Sequence, residues 1–300
     1  QGFLPELMEK MYTERVVYKK KAIEAKKEFQ KTKDPIYSNE ISRCHNIQMA
    51  KKISLNSAYG AIGNQYFRYF DVKQAEAITL GGQLSIRWVE RDVNRFMNKL
   101  LGTDNKNYVV ASDTDSIYLK LDTLVEKVCK GKSTKQIVEF LNKAAEDKIQ
   151  KVIDDSYQNL AHYVNAYQQK MIMKREAIAN KGIWVAKKRY MMNVFDEEGI
   201  RFDIPKLKIM GVEAVKSSTP EVCRGKIKDA IRVIMNDSED ALIKFVNDFK
   251  EVFKTLSPEE VAFPRSCNNV NRYVDSNSIY KKGTPIPVSY THLRAHETYV

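Results

Sequence analysis

Several common function classes are missing from this chain. Its four cysteines, Cys44, Cys129, Cys223 and Cys267, are scattered over 300 residues. They form neither a metal-ligand spacing nor a dense disulfide framework, so a reducing compartment is expected. No apolar run approaches the ~20 residues that span a bilayer, and no signal segment opens the chain. No membrane association is therefore expected, and the predicted location is cytoplasmic. Internal repeats and low-complexity tracts are absent, as are the acidic clusters that a metal-dependent nuclease needs.

What is present is positive charge. Fifty Lys and Arg against 38 Asp and Glu give a formal charge of +12 and a pI near 9.3. A polyanionic partner fits that balance, although many solvated surfaces are also lysine-rich. The excess gathers at Lys19-Lys20-Lys21, Lys51-Lys52 and Lys187-Lys188-Arg189. Apolar residues make up 43% of the chain, enough for the cores of two or three small domains.

Two motifs carry chemistry. The first is Ser112-Asp113-Thr114-Asp115-Ser116, set between the β-rich runs 108–111 and 117–119. Two strands joined by an acidic turn predict a hairpin with carboxylates at its tip. In extended backbone Asp113 and Asp115 share a side, and hard oxygen ligands of this kind suit Mg²⁺. Asp-Thr-Asp turns are also common solvated loops. The second motif lies upstream, where Lys52, Asn56 and Tyr59 fall at i, i+4, i+7 and so share one helix face. A cation, an amide and a phenol there suit a phosphate, a sugar and a base. An ordinary amphipathic helix with a polar stripe has the same pattern.

Helices are predicted over 6–31 and 40–60, broken by Lys33-Asp34-Pro35 and ending at Gly60, as an αα-hairpin. Residues 74–101 are apolar-periodic (Ala77, Leu80, Leu84, Ile86, Trp88, Val89, Phe96, Leu100) and read as a buried helix closed by Gly102. Ser133 and Gln136 form a capping-box pattern that opens a helix to about 152, with another over about 154–169. Strands are predicted at 183–186, 189–195 and 207–210, with a turn at Gly199. Thr219 and Pro220 should cap and open a helix over 220–236, followed by one over 239–256 packed against it.

In this order, about 55 residues apart, Lys-x-x-x-Asn-Ser-x-Tyr-Gly and Asp-Thr-Asp-Ser resemble the family B DNA polymerases. The flanking Asn64-x-x-Phe67-Arg68-Tyr69-x-Asp71 and Ala77-Ile78-Thr79 look most like the replicative polymerases of tailed bacteriophages. The resemblance runs from about residue 1 to 287. It implies an α+β fold: helical-hairpin fingers at 1–60, a mixed α/β palm with an antiparallel sheet at 61–216, and a partial helical thumb at 217–287. It also implies metal-dependent nucleotidyl transfer from a dNTP to a primer 3′-hydroxyl, with primer–template DNA as partner and a sliding clamp in the intact protein. The implied metal ligands are Asp113 and Asp115, holding Mg²⁺ in a two-metal site completed by an upstream aspartate. Lys52 contacts the triphosphate and serves as proton donor to pyrophosphate. Arg15 and Lys19 grip phosphate, Asn56 contacts nucleotide, and Tyr59 and Gly60 line the nascent base pair. Lys187, Lys188, Arg189 and Tyr190 match the primer–template motif, with Lys208 as its partner. Glu176 reads equally as an auxiliary carboxylate and as a plain ion pair.

Departures from the family pattern bound the expectation. The Asp-x-x-Ser-Leu-Tyr-Pro run and the acidic motifs of a proofreading exonuclease do not occur, and Ser112 stands where Gly or Tyr is usual. The chain therefore reads as a fragment, inactive by itself. Residues 288–300 look like a translated sequencing adapter and are left out of the fold reading. The alternative is a non-catalytic, basic DNA-binding remnant of a polymerase scaffold. Against it, Lys52, Asn56, Asp113 and Asp115 stand together, although charged site residues should decay first.

Overall fold

The computed structural model describes residues 2–263; Cys267 and the predicted adapter tail at 288–300 lie outside the described residues. Two long helices come first, α1 (Phe3–Thr32) and α2 (Pro35–Ile62). Lys33 turns left-handed at φ 58°, and its N–H donates to the Phe29 carbonyl. The Asp34 carboxylate then accepts from the Ile36 N–H at 2.9 Å, with Pro35 in the first turn, where no donor is needed. The break at 33–35 is where the sequence predicts it. However, α2 begins at Pro35 rather than near 40 and passes through Gly60 to a cap at Gly63. A helical glycine costs about 1 kcal/mol relative to alanine, and the packing of α2 on α1 outweighs it. Ala22, Ala25 and Cys44 are buried in these helices.

Helix α3 (Val72–Leu101) is capped by Asp71 and closed by left-handed Gly102. Its predicted burial holds only in the C-terminal half, where Val89, Val93, Met97 and Leu101 recur every fourth residue and enter the core. Ala77, Leu80 and Leu84 are exposed, because the core cluster receives α3 only from Val89 onward.

Asn94 and Asn98 of α3 fix the next element. The Asn94 Oδ1 accepts from the backbone N–H groups of Tyr108 and Val109, at 2.8 and 3.1 Å. Asn98 holds Lys106 through its N–H and its carbonyl, at 3.0 and 2.8 Å. The antiparallel hairpin β1 (Val109–Asp113) and β2 (Ser116–Leu119) therefore leaves α3 at a fixed angle.

A short helix not foreseen from sequence, α4 (Asp122–Val128), precedes α5 (Thr134–Ala144). The Ser133–Gln136 capping box is present. Instead of breaking near 153, the chain continues through a π-helical stretch, Ala145–Ile149, into α6 (Gln150–Tyr163). Each i→i+5 bond takes in an extra residue, so the eight residues from Leu141 to Ile149 complete about two turns. In a plain α-helix they would overshoot to about 2.2. Leu141, Ile149, Ile153, Tyr157 and Leu160 thereby stay buried, four of them in the cluster with α3 and the hairpin.

A three-stranded sheet follows in the order β3 (Ala177–Ala186), β4 (Arg189–Glu197), β5 (Ile200–Met210). Its strands are antiparallel and longer than the apolar runs that announce them. Glu198 and Gly199, at φ 54° and 82°, make the two-residue turn between β4 and β5. Fully buried Asp196 pairs with Arg175 and with the Arg201 Nε at 2.5 Å, and Arg175 donates to the Asn142 side chain at 2.6 Å.

The chain divides into two compact units: residues up to Asn180 with Val194–Lys206, and Lys181–Asn193 with the described residues from Leu207 on. The second contains α7 (Glu221–Asn236), α8 (Glu239–Thr255) and α9 (Pro258–Val261). Pro220 is the N-cap of α7 rather than its first helical residue, and no side chain caps it. Ile231 and Met235 of α7 are buried, whereas α8 buries none of its apolar stripe. Among the described residues, no helix is long and apolar enough to cross a membrane.

Candidate active site and nucleic-acid interface

Asp113 is the last residue of β1, paired in register with Ser116, so Thr114 and Asp115 form the tip. The tip is tighter than an ordinary hairpin loop. Asp115 donates its N–H back to the Asp113 carbonyl at 2.6 Å while Thr114 sits at φ 57°. That is a γ-turn centred on a β-branched residue, a rare and strained arrangement. The strand alternation that aims Asp113 and Asp115 to one side ends here, because Asp115 is in the turn and not in extended backbone. Local bonds hold the strain. Thr114 Oγ1 donates to the Asp113 carboxylate at 3.0 Å, and Ser116 Oγ to the Asp113 carbonyl at 3.1 Å. Beneath the tip lies Tyr157 of α6. Burial raises its phenol pKa, and the Asp115 charge raises it further, so the carboxylate acts on the core.

Asp113 is half-buried and Asp115 exposed. Two hard carboxylates at one tip fit a divalent cation that takes its remaining ligands from substrate phosphate and water. Among the described residues, no group of three metal-ligating side chains occurs, so exposed Glu176 does not join the pair as a third ligand.

In the same unit, an ion pair between Glu14 and Lys51 sets the register of α1 against α2. Arg15 and Lys52 are the next residues along each helix, adjacent in sequence to this pair. Lys52, Asn56 and Tyr59 are exposed on one face of α2. Lys52 has no ion-pair partner among the described residues. The Arg15 Nε is buried without a hydrogen-bond partner. Lys19, one turn beyond Arg15, pairs with Glu198 in the β4–β5 turn, so it meets a phosphate only by exchanging that carboxylate.

The second unit carries a basic tip. Lys187 and Lys188 join β3 to β4, both exposed, with Lys188 at φ 60°. Arg189 is half-buried and bonds the Glu213 carboxylate. Tyr190 is buried, its ring 6.1 Å from Trp184 and stacked on it. The Trp184 ring occupies the space that a side chain on Gly182 would need, 2.8 Å from the missing Cβ. Lys208 lies half-buried on β5.

Residues 1–287 match DNA polymerase family B. The chain belongs to that family. It is 37% identical over 262 residues to the DNA-directed DNA polymerase of Enterobacteria phage T4, and 39% identical over 262 residues to that of Escherichia phage RB69. Each alignment covers 84% of this chain and 28% of the relative. DNA polymerase 1 of Pyrococcus abyssi is 27% identical over 263 residues. The chain thus spans a little over a quarter of the length of the curated relatives it matches.

Both family motifs fall on exposed structural features, an acidic tip and a helix face, within one unit. Sequence reasoning missed the groups that hold them: Glu14, Glu198, Tyr157 and, in the second unit, Glu213. These partners are distant in sequence and no local pattern announces them. Gly211 had one signal, a glycine closing the Lys208-Ile209-Met210 run.

Proposed function

We propose that this chain is the catalytic part of a template-directed DNA polymerase of phage replication. The observation that carries this reading is the occurrence, within one compact unit, of both the strained Asp113–Asp115 tip and the exposed cationic face of the helical hairpin. In the reaction, the primer 3′-hydroxyl oxygen attacks the α-phosphorus of a dNTP, a new P–O bond forms, and the bond to pyrophosphate breaks. Bound at the tip, Mg²⁺ would polarise the phosphate and lower the pKa of the attacking hydroxyl. Asp113 and Asp115 would hold it, with a third carboxylate supplied from outside the described residues.

This chain's own residues do the rest. Lys52 and Arg15, each next in sequence to a member of the Glu14–Lys51 pair, grip the triphosphate, Arg in bidentate fashion and Lys as a point charge. Lys19 joins them on releasing Glu198, and Lys52 passes a proton to the leaving pyrophosphate. Asn56 and Tyr59 line the nucleotide and the nascent pair. Of the basic motif, Lys187 and Lys188 meet the primer–template together with Lys208, while Arg189, bonded to Glu213, and buried Tyr190 support the turn; phosphate contacts there position the duplex without reading its sequence. On this reading residues 1–60 are the fingers, 61–216 the palm and 217–287 part of the thumb. The intact protein works in the cytoplasm of an infected bacterium, with a sliding clamp.

The test is a chimera in which this chain replaces the matching region of the phage T4 relative. The chimera should extend a primer, and Asp115→Asn should abolish extension while leaving primer–template binding intact. Near-normal single-turnover incorporation by the Asn variant would overturn the assignment.

A further inference from the structure

The Lys187–Lys188 turn is not self-supporting. Its second residue is a lysine in the left-handed region, a conformation L side chains rarely adopt. Something must hold it there, and the segment after β5 does. A Cβ on Gly211 would lie 2.1 Å from the Lys188 carbonyl oxygen, 3.1 Å from its carbon and 3.2 Å from the Arg189 Cγ. No other glycine among the described residues meets backbone so closely. Gly211 is itself at φ +65°, so a side chain there is excluded twice, by conformation and by space. Two residues on, the Glu213 carboxylate accepts from Arg189 at 2.5 Å and from Lys216 at 3.1 Å. Val212 and Ala214 are buried in an apolar cluster with Met191 of β4. The segment is thus anchored in the core by Val212 and Ala214, while Gly211 and Glu213 meet the basic turn.

We propose that Gly211 and Glu213 are positioning residues for the basic turn. Gly211 sets the path of the Lys188 backbone. Glu213 holds the Arg189 guanidinium back, so that Lys187 and Lys188 alone form the leading charges. This inference rests on the reading that the turn contacts primer–template phosphate. It adds that the shape of the tip, and which cations reach the DNA, are set by the segment that follows β5.

The test uses the full 300-residue chain and a fluorescent primer–template, with affinity measured across a salt series. Lys188→Ala is the control for the underlying reading. It should weaken binding and reduce the salt slope by about one; if it changes neither, the turn is not a DNA contact and that reading fails first. Given that control, Glu213→Gln should release Arg189 to a phosphate and steepen the salt slope by about one. The same change in an Arg189→Ala background should have no effect on the slope. A merely structural role would shift the thermal midpoint and leave the slope alone. Gly211→Ala should weaken binding about tenfold by displacing the turn. An unchanged slope in Glu213→Gln, or an effect that persists without Arg189, would overturn the proposal. So would Gly211→Ala binding within twofold of the parent chain. If Gly211→Ala does not fold, the Glu213 and Arg189 cycle decides alone.

Discussion

Two of the molecule's hairpin tips are built by the same device and charged oppositely. At Asp113-Thr114-Asp115 and at Lys187-Lys188, a residue other than glycine is forced to positive φ, 57° and 60° respectively. In each, the strained backbone carries the residues on which function is proposed to depend. The support differs. The acidic tip holds itself, through the Asp115 N–H, the Thr114 hydroxyl and the Ser116 hydroxyl, all bonded to Asp113. The basic tip is held from outside, by Gly211 and Glu213. A tip that aims carboxylates at an ion needs accuracy over a few ångströms, and short local bonds supply it. A tip that lies on a phosphate backbone needs only placement, and a distant brace suffices.

The largest effect that separates the tips is in chemistry against binding. In the chimera, Asp115→Asn should cut the rate of nucleotide addition on the order of a thousandfold and leave the primer–template Kd within a few fold. Lys188→Ala should do the reverse, weakening binding alike on all sequences with little loss of rate at saturating DNA. A binding defect in the first or a sequence-selective defect in the second, seen by single-turnover kinetics and anisotropy, would erase the distinction.

A smaller effect compares the strain. Thr114→Gly should stabilise the fold by about 1 kcal/mol, since a β-branched residue at positive φ costs roughly 1–3 kcal/mol. Lys188→Gly should gain less, because an unbranched side chain is less crowded there. Denaturant midpoints measure both. Thr114→Gly should also slow nucleotide addition, as the carboxylates lose their fixed aim. If both glycine variants are destabilised, neither tip stores strain.

The smallest effect is a titration. The Tyr157 phenol lies above its ordinary 10.0 because burial, and then the Asp115 charge, disfavour phenolate. Its contribution to stability is therefore complete below pH 10 and is lost as pH rises through the folded value. Asp115→Asn should lower that folded value and bring the alkaline loss forward, readable as tyrosinate absorbance at 295 nm. No shift would mean that the tip does not lie over Tyr157.

Much of this was legible in the chain, for local reasons. The acidic hairpin, the 33–35 break, the Ser133 cap and Gly102 each announce themselves within four residues, and each is where local rules put it. Errors arose where tertiary contacts overrode those rules. Gly60 stops no helix because packing offsets its small intrinsic cost. The π stretch at 145–149 breaks the 3.6-residue period, so one long helical run reads as two helices. Leu80 and Leu84 carry a core-like period, yet the core begins only at Val89. The site residues could be found by motif, but their environment could not. Lys19 meets Glu198 and Arg189 meets Glu213 across separations that no periodicity encodes.

The Trp184 ring, lying over Gly182 beside Tyr190, has an optical consequence. The chain has two tryptophans, and each compact unit holds one. Trp88 sits 4.1 Å from the Arg91 guanidinium in the first unit. Trp184 stands three residues before Lys187 in the second. A Trp88→Phe variant would leave a single indole next to the basic turn, and its emission would follow that turn as duplex arrives, with no dye attached. The indole that fills the space above one glycine thus gives the molecule a reporter of its own.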